Sequence, residues 1–493
     1  MRSLIVALLL AVLPSCRLAA LQCPDGAPPP CARPAARPAP AANTVAVLLF
    51  ENRARDTAMT LLAEGLADQI ATDLGHIGRL QVSSPASVRF VLGNGSRDPR
   101  RLGNALGARW LVDGQLLSGR GVVRVSVQLI EASRGTMRWS NSFQRPTDDL
   151  MGLIRLMSDS VATAIVGELA PAERATLAQR PTSSGAAYDS YLRGRASLRQ
   201  GAGQNLLIAS ALFEEALGLD SNFTDCWAAL ASTWISTADN LLAPRASYPR
   251  ARYYAGRALR IDPTNGEATA ALAKIAMWFD WDIPGAVLLA RRSVALAPAS
   301  PESHLVLGMA LAVRQDSAES ARELLRALDL DSLSLRTANN VAIGLLFIGR
   351  FDDLLARGRR LAVTEIRVWG DRMMLYAFES TGRCHEAAAI RTSRPDLGAA
   401  IYLCDSSPSD GPRIDAAAVE RRATAPYFRA WNFARAYAAA GLADKAMEML
   451  EQAFRDREAW MPFIQLDPNL RSLFGDPRFQ DLVRRVAAAA GGV

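Results

Sequence analysis

Up to about residue 150 the apolar positions come in short runs and alternations broken by turn residues. Beyond about residue 187 they recur at helical spacing. Order begins at "TVAVLLF", where the continuous apolar run Val45 to Phe50 predicts a strand buried on both faces. Leu62, Leu66, Ile70 and Leu74 then recur every four residues, one face of an amphipathic helix. "LQVSS" from Leu80 reads as a short strand, and "DPRRLGNALGARW" as a second, shorter helix feeding the strand "WLVDGQLL". In "VVRVSVQLI" the residues Val123, Val125, Val127 and Leu129 alternate with Arg124, Ser126 and Gln128, the signature of a half-buried antiparallel strand. "EASRG" is a turn, and "TMRWSNSF" resumes the alternation with Met137, Trp139 and Phe143 expected on one face. A helix from about residue 148 to 169 closes the unit. The order β-α-β-α-β-β-β-α predicts a small mixed sheet covered by helices over residues 44–169.

Beyond a linker at residues 170–186, one phrase keeps returning. "ALRIDPTNGEA" at Ala258 has close variants in "ALGLDSNFTD" from Ala216, "ALAPASPES" from Ala295 and "ALDLDSLS" from Ala327. Ala209, Ala251, Ala286, Ser320, Leu354, Ala387 and Ala446 sit at the start of each second helix, at intervals of 42, 35, 34, 34, 33 and 59. Four and seven residues on, five of these units place a second and third core position, among them Phe213 and Ala216, Ala290 and Ser293, Leu324 and Ala327. Pro263 and Pro298 end two second helices because proline cannot continue one. A period near 34 marks stacked helical hairpins, each unable to bury its apolar face alone. The long first interval is expected to hold an insertion around "ADNLLAPRASY", and the last a degenerate unit within residues 401–422.

The two patterns together resemble a known combination. "VAVLLFENRARD", "LAEGLADQIATDLGHIGRLQVSS", "LGARWLVDGQL" and "VRVSVQLIEASRGTMRWSNSFQRP" resemble the TolB-like amino-terminal domain. The helical units, and the closing stretch "GLADKAMEMLEQAFRDREAWMPFIQLDPNLRSLFGDPRFQDLVRRV", resemble the tetratricopeptide (TPR) repeats that accompany it in bacterial proteins. In many members of that family a Ser/Thr kinase, a winged-helix domain or a cyclase precedes the TolB-like domain. The resemblance implies an α+β multidomain chain: a small mixed α/β domain at residues 44–169, then an all-α TPR solenoid with a C-terminal cap at residues 187–493.

The amino terminus changes where this architecture is expected to work. Arg2 precedes the ten apolar residues Leu4 to Leu13, too short to cross a bilayer as a helix, and the pattern is that of a secretory signal over residues 1–20. "LPSC" resembles a lipobox with Cys16 as the lipidated residue; cleavage after Ala20 is the alternative. Residues 21–43, rich in Pro and Ala, read as an extended tether. Export to the periplasm or cell envelope makes disulfides relevant. Cys23 and Cys31 are candidates for one pair and Cys384 and Cys404 for another, which would stabilise by about 3 kcal/mol. Cys226 is then a buried free thiol.

The formal charge of +7 is almost wholly arginine, since Lys274 and Lys445 are the two lysines. The arginines are scattered, and no basic stripe with interleaved aromatics stands out, so no nucleic-acid partner is expected. The three histidines, His76, His304 and His385, are far apart in sequence. No HExxH, P-loop or GxSxG motif occurs, and neither catalysis nor a cofactor is expected. Asp280 and Asp282 in "FDWDI" read as a turn that caps the next helix. TPR arrays hold peptides in a groove lined by first helices. The register places Ser232, Lys274, Met309, Trp431, Asn432 and Arg435 there. Asn432 and Arg435 beside Trp431 would make a clamp for an extended peptide, with core packing as the alternative for Trp431. The expected function is an exported, non-enzymatic scaffold that binds a protein or peptide, in contact with the membrane only through an N-terminal lipid. The alternative is an envelope sensor holding a small molecule in the α/β domain or the inter-domain cleft. Nothing in the pattern sets an oligomeric state.

Overall fold

A computed structural model describes residues 41–53, 57–93, 95–119, 121–178, 181–200, 203–331, 334–362, 367–394 and 429–489. The expected signal peptide and most of the expected tether, with Cys16, Cys23 and Cys31, lie outside the described residues, as do Cys404 and the degenerate unit expected within residues 401–422.

Five strands lie in the order β3-β1-β4-β5-β6: β1 (Thr44–Val47), β3 (Gln81–Val82), β4 (Trp110–Gly119), β5 (Val122–Glu131) and β6 (Thr136–Pro146). A sixth, β2 (Glu51–Asn52), pairs with the far end of β4. β1 runs parallel to β3 and β4, whereas β4, β5 and β6 form an antiparallel meander. Helices α1 (Thr57–Gly75) and α4 (Leu150–Val166) cover the face onto which Val123, Val125, Val127 and Leu129 project. Helices α2 (Pro85–Gly93) and α3 (Pro99–Leu106) cover the other face beside β1, over Ala46, Leu48 and Leu111. The hydrophobic pattern did not announce α2, whose nine residues give barely two turns of periodicity.

One face assignment needs correcting. Leu129 pairs with Trp139, but Ile130 pairs with Met137, so Arg138 is an extra residue in β6. This β-bulge flips the alternation, and Met137 is turned out to 59 % exposure while Phe143 stays buried.

After the short α5 (Pro171–Leu177) come, among the described residues, seven helical hairpins. They are α6/α7 (Gly185–Gln200, Gln204–Leu219), α8/α9 (Thr224–Asn240, Pro244–Ile261), α10/α11 (Gly266–Ile275, Ile283–Leu296), α12/α13 (Pro301–Val313, Ser317–Leu330), α14/α15 (Leu335–Phe347, Phe351–Ala362), α16/α17 (Arg367–Ser380, Cys384–Ser393) and α18/α19 (Ala430–Ala439, Ala443–Asp456), with α20 (Pro477–Ala488) last. The chain is therefore α+β: a mixed α/β sheet domain followed by an all-α, TPR-like solenoid. No helix among the described residues is long and apolar enough to cross a membrane.

The register follows from small residues. Ala209, Ala251, Ala286, Ser320, Leu354, Ala387 and Ala446 are all fully buried, each inside a second helix. Ser320 Oγ donates to the Gly308 carbonyl at 2.7 Å, and a Cβ built on Gly308 would meet Leu324 Cγ at 2.7 Å. The two helices of this hairpin thus approach almost backbone to side-chain stem. The long first interval is filled around residues 238–248, at the end of α8 and the start of α9. α8 and α9 have 17 and 18 residues against 13 and 14 in α12 and α13, so the eight extra residues are turns of helix. Asp282 caps α11 as expected, accepting from Gly285 N, while Asp280 pairs with Arg252.

Sheet and solenoid share one apolar core. It runs from Val45, Leu66 and Val125 through Tyr191 and Phe213 to Tyr248 and Phe279. α1 lies directly on α6, so close that a Cβ on Gly65 would fall 2.6 Å from the Leu192 carbonyl oxygen.

Ala286→Trp should cost about 1–3 kcal/mol by overpacking the α10/α11 contact, whereas Leu288→Ser, at the exposed face of the same helix, should be near neutral. Urea unfolding distinguishes the two; equal midpoints would overturn the register.

Candidate interaction surface

The second residue of successive first helices is polar: Asp225, Glu267, Glu302 and Arg336 in α8, α10, α12 and α14. Their intervals, 42, 35 and 34, repeat those of the second helices. Each reaches across to a neighbouring element. Arg195 of α6 donates to Glu267 at 3.0 Å, and Ser232 Oγ donates to the same carboxylate at 3.3 Å. Asn265 Nδ2 donates to Asp225 at 3.0 Å. Glu302 is held between Lys274 and Arg336. The result is a charged rail linking the first-helix ends from α6 to α14.

Burial and pairing set the charges on this rail. Glu267 beside Arg195 pushes the guanidinium pKa above its ordinary value. Burial opposes charge on Glu302, but Arg336 and Lys274 outweigh it and hold the carboxyl well below the usual range. Asp225 is pushed up, first by burial and then by the nearby Glu267 carboxylate. At the sheet end the rail meets a second cluster. Arg89 of α2 bonds Glu64 at 2.5 Å and Asp68 at 2.9 Å, and Arg199 of α6 closes on Asp68 from the other side. Gln200 Nε2 also donates to Glu64, at 3.2 Å.

Among the residues expected to line a groove, Ser232 and Lys274 belong to this rail. Met309 and Trp431 do not line it: both are 1 % exposed, Met309 within the α12–α14 packing and Trp431 among Ala434, Met461 and Leu470. Arg435 is not a free clamp, because it forms an ion pair at 2.5 Å with the fully buried Asp467. Asn432 is exposed but stands apart from the rail. The clamp expected of Trp431, Asn432 and Arg435 is therefore a core contact with one surface amide beside it. Glu267, Glu302, Arg195 and Arg336 were missed. The signal for three of the rail's acids and Arg336 was in the sequence, as a polar position keeping the repeat interval.

The C-terminal segment comes back onto the middle of the array. Residues 276–280 form a π-helical turn at the end of α10. Arg457, left-handed at φ 54°, donates from Nε to the Phe279 carbonyl at 2.8 Å and from Nη2 to Asp280 O at 3.1 Å, its guanidinium 4.4 Å above the Trp281 ring. Trp460 and Phe463 then pack on Trp278 and Phe347, with ring centroids 5.0–6.2 Å apart. Glu458 receives the Ala430 and Trp431 amides at 2.7 and 3.1 Å, capping α18. Cys226 is free and buried, its thiol pushed up by burial; Cys384 is disulfide-bonded. Of the histidines, His304 is held by Glu323 at 2.6 Å and the Pro298 carbonyl at 3.0 Å. No group of three or more His, Cys, Asp or Glu placed to hold a metal ion is found among the described residues.

No family model matches the chain. A Rhizobium meliloti protein described as "Putative adenylate cyclase 3" is 24 % identical over 191 residues, which is 39 % of this chain. The chain spans 32 % of that relative's length. Among solved structures, the human IFIT1 dimer with m7Gppp-AAAA is 16 % identical over 62 % of this chain and 84 % of that one, at a TM-score of 0.29. A monomeric IFIT1 mutant with Gppp-AAAA has a TM-score of 0.29 at 14 % identity, covering 61 % of this chain and 85 % of that one. Scores this low carry nothing about function.

Burial raises the Glu458 carboxyl to about 7, against the pull of the two amides and Arg429. A raised folded-state pKa means that protonation stabilises the fold. The contribution is full below the ordinary value of 4.5 and is lost as pH rises through about 7. Wild type should therefore lose on the order of 2–3 kcal/mol relative to Glu458→Gln between pH 4.5 and 8. Parallel stability–pH curves in urea unfolding would show that the carboxyl titrates normally.

Proposed function

We propose that this protein is an exported, non-enzymatic scaffold whose first-helix face, from α6 to α14, binds a segment of a partner protein. The charged rail is the observation that supports this reading. Its signs alternate from Arg195 and Glu267 to Lys274, Glu302 and Arg336, and Arg336 keeps its side chain 64 % exposed. Alternating, partly solvated charges favour a partner strand of mixed charge. Such a strand can exchange ion pairs with the rail at little desolvation cost. Beyond α14 the same face is packed by Trp460 and Phe463, which leaves the α6–α14 stretch as the part for a partner.

The α/β domain is read as TolB-like on its motif order, and the amino-terminal signal as the reason for export. Anchoring is either through lipid on Cys16 or absent after cleavage at Ala20. Cyclase activity is not transferred from the Rhizobium relative, since kinship over 32 % of that protein speaks for a shared part.

Two measurements test the reading. Crosslinking mass spectrometry of the tagged protein in its native envelope should place a reproducible partner on first-helix residues. Glu267→Gln with Arg336→Gln should abolish those crosslinks at a temperature where circular dichroism shows the variant still folded, its melting temperature lowered because Arg195 and Glu302 lose a partner each. Folded protein that yields no first-helix crosslinks defeats the scaffold assignment. Intact-mass analysis of the mature chain should find either a lipidated Cys16 or an N-terminus at Leu21; an unprocessed Met1 would refute export.

A further inference from the structure

The second helices carry a charge pattern opposite in kind to the rail. α9, α11, α13 and α15 hold twelve arginines, no lysine and five acidic residues. Four of the acids are already occupied: Glu319 by Arg291, Glu323 by His304, Asp329 by Arg357 and Asp353 by Arg350. Among the described residues nine of the twelve arginines make no ion pair, the exceptions being Arg252, Arg291 and Arg357.

These arginines are ordered by the repeat. Six positions after the buried residue that sets each register stand Arg257, Arg292, Arg326 and Arg360, at intervals of 35, 34 and 34. Four positions before each, one turn back on the same helix face, stand Tyr253, Leu288, Arg322 and Ala356. The second helices lie side by side, as the Arg291–Glu319 pair between α11 and α13 and the Asp329–Arg357 pair between α13 and α15 show. Equivalent positions on packed helices are about 10 Å apart, so the four guanidinium groups form one ridge. Arg257 lies over the Trp227 ring at 5.1 Å and Arg250 over Trp234 at 4.4 Å. Tyr253 and Leu288 stand out from the ridge at 56 % and 72 % exposure. A basic stripe with interleaved aromatics, not visible in the linear sequence, is thus assembled at α9 by folding.

We infer that this ridge is a docking surface for an anionic phospholipid bilayer. Phosphate groups meet the unpaired guanidinium row, and Tyr253 and Leu288 enter the layer between headgroups and acyl chains, where amphipathic rings and aliphatic side chains are favoured. Single-stranded nucleic acid fits less well. It needs a stacking ring at successive bases, and the exposed positions beside Arg292, Arg326 and Arg360 are Leu288, Arg322 and Ala356. The surface is separate from the first-helix rail, so its failure and that of the scaffold reading are told apart.

The test is co-flotation of the full-length protein, as its host processes it, with two kinds of vesicle: phosphatidylcholine alone, and phosphatidylcholine with phosphatidylglycerol. An N-terminal lipid would raise partitioning into both equally, so the ratio between the two is the readout. Wild type should prefer the anionic vesicles, with a preference that falls as salt rises. Arg292→Glu, Arg326→Glu and Arg360→Glu together should lower that preference on the order of 100-fold. The same three changes at Arg100, Arg101 and Arg484 should leave most of it. Circular dichroism melting keeps the comparison to folded protein. No anionic preference in wild type, or an undiminished one in the ridge variant, would overturn the inference. So would tighter ridge-dependent binding of an oligo-dT strand than of vesicles.

Discussion

Close approach between helices, permitted only by small side chains, is the constraint on which the rest of this structure depends. Gly65 lets α1 settle on the backbone of α6, and Gly308 with Ser320 lets α12 and α13 lock through a side-chain–carbonyl bond. An added methylene at such a contact forces off-rotamer neighbours or backbone shifts rather than a small local adjustment. Because the same contact recurs about every 34 residues, it fixes the rotation from one hairpin to the next, and with it which residues fall into rows along the array. The α1–α6 contact does the same for the sheet. It makes the sheet's core continuous with the first repeats, so that the α/β domain acts as the cap of the solenoid instead of a separate bead.

Rows are what turn a repeat into a surface. A polar residue at the second position of first helices becomes a rail of paired charges, and an arginine six places past the small residue becomes a ridge of unpaired ones. The difference between the two lies in neighbours. On the rail every charge has an opposite one within reach across a helix gap, as Glu302 has Lys274 and Arg336. On the ridge the acids are drawn off to other partners, Glu323 to His304 and Asp353 to Arg350, and the guanidinium groups meet solvent, an aromatic face at Arg257 or, at Arg292, the Pro263 carbonyl.

The same logic explains what could be read beforehand. The α+β architecture was legible because strand-like runs and alternations stop near residue 150 and helical spacing alone continues beyond it, and the small-residue register was legible because buried positions tolerate few residue types. The bulge at Arg138 was not, since an extra residue in a strand leaves the composition unaltered and only inverts the faces beyond it. Met309, Trp431 and Arg435 were placed on the groove because a first helix has more than one inward direction. Which side of it is covered depends on Asp467 and the segment around Phe463, far along the chain. The domain limits, the expected export signal and the candidate pairing of Cys23 with Cys31 rest on sequence alone.

The C-terminal segment limits how much of the first-helix face a partner can use. Its anchor is a left-handed arginine, not glycine. Arg457 accepts an uncommon backbone geometry, of order 1 kcal/mol or more in cost, and in return two main-chain carbonyls at the π-helical turn receive its guanidinium. A π turn leaves carbonyls without their usual intrahelical amides, so arginine and turn satisfy one another. The aromatic quartet of Trp278, Phe347, Trp460 and Phe463 packs beside that seat. A partner seeking the far half of the array would have to displace a desolvated aromatic cluster and unpair Arg457. On the α6–α14 rail it needs to exchange partly solvated ion pairs, the most exposed of them at Arg336. The geometry therefore favours occupation from the sheet end, where the rail meets the Arg89–Asp68–Arg199 cluster and where sheet and solenoid are joined most tightly.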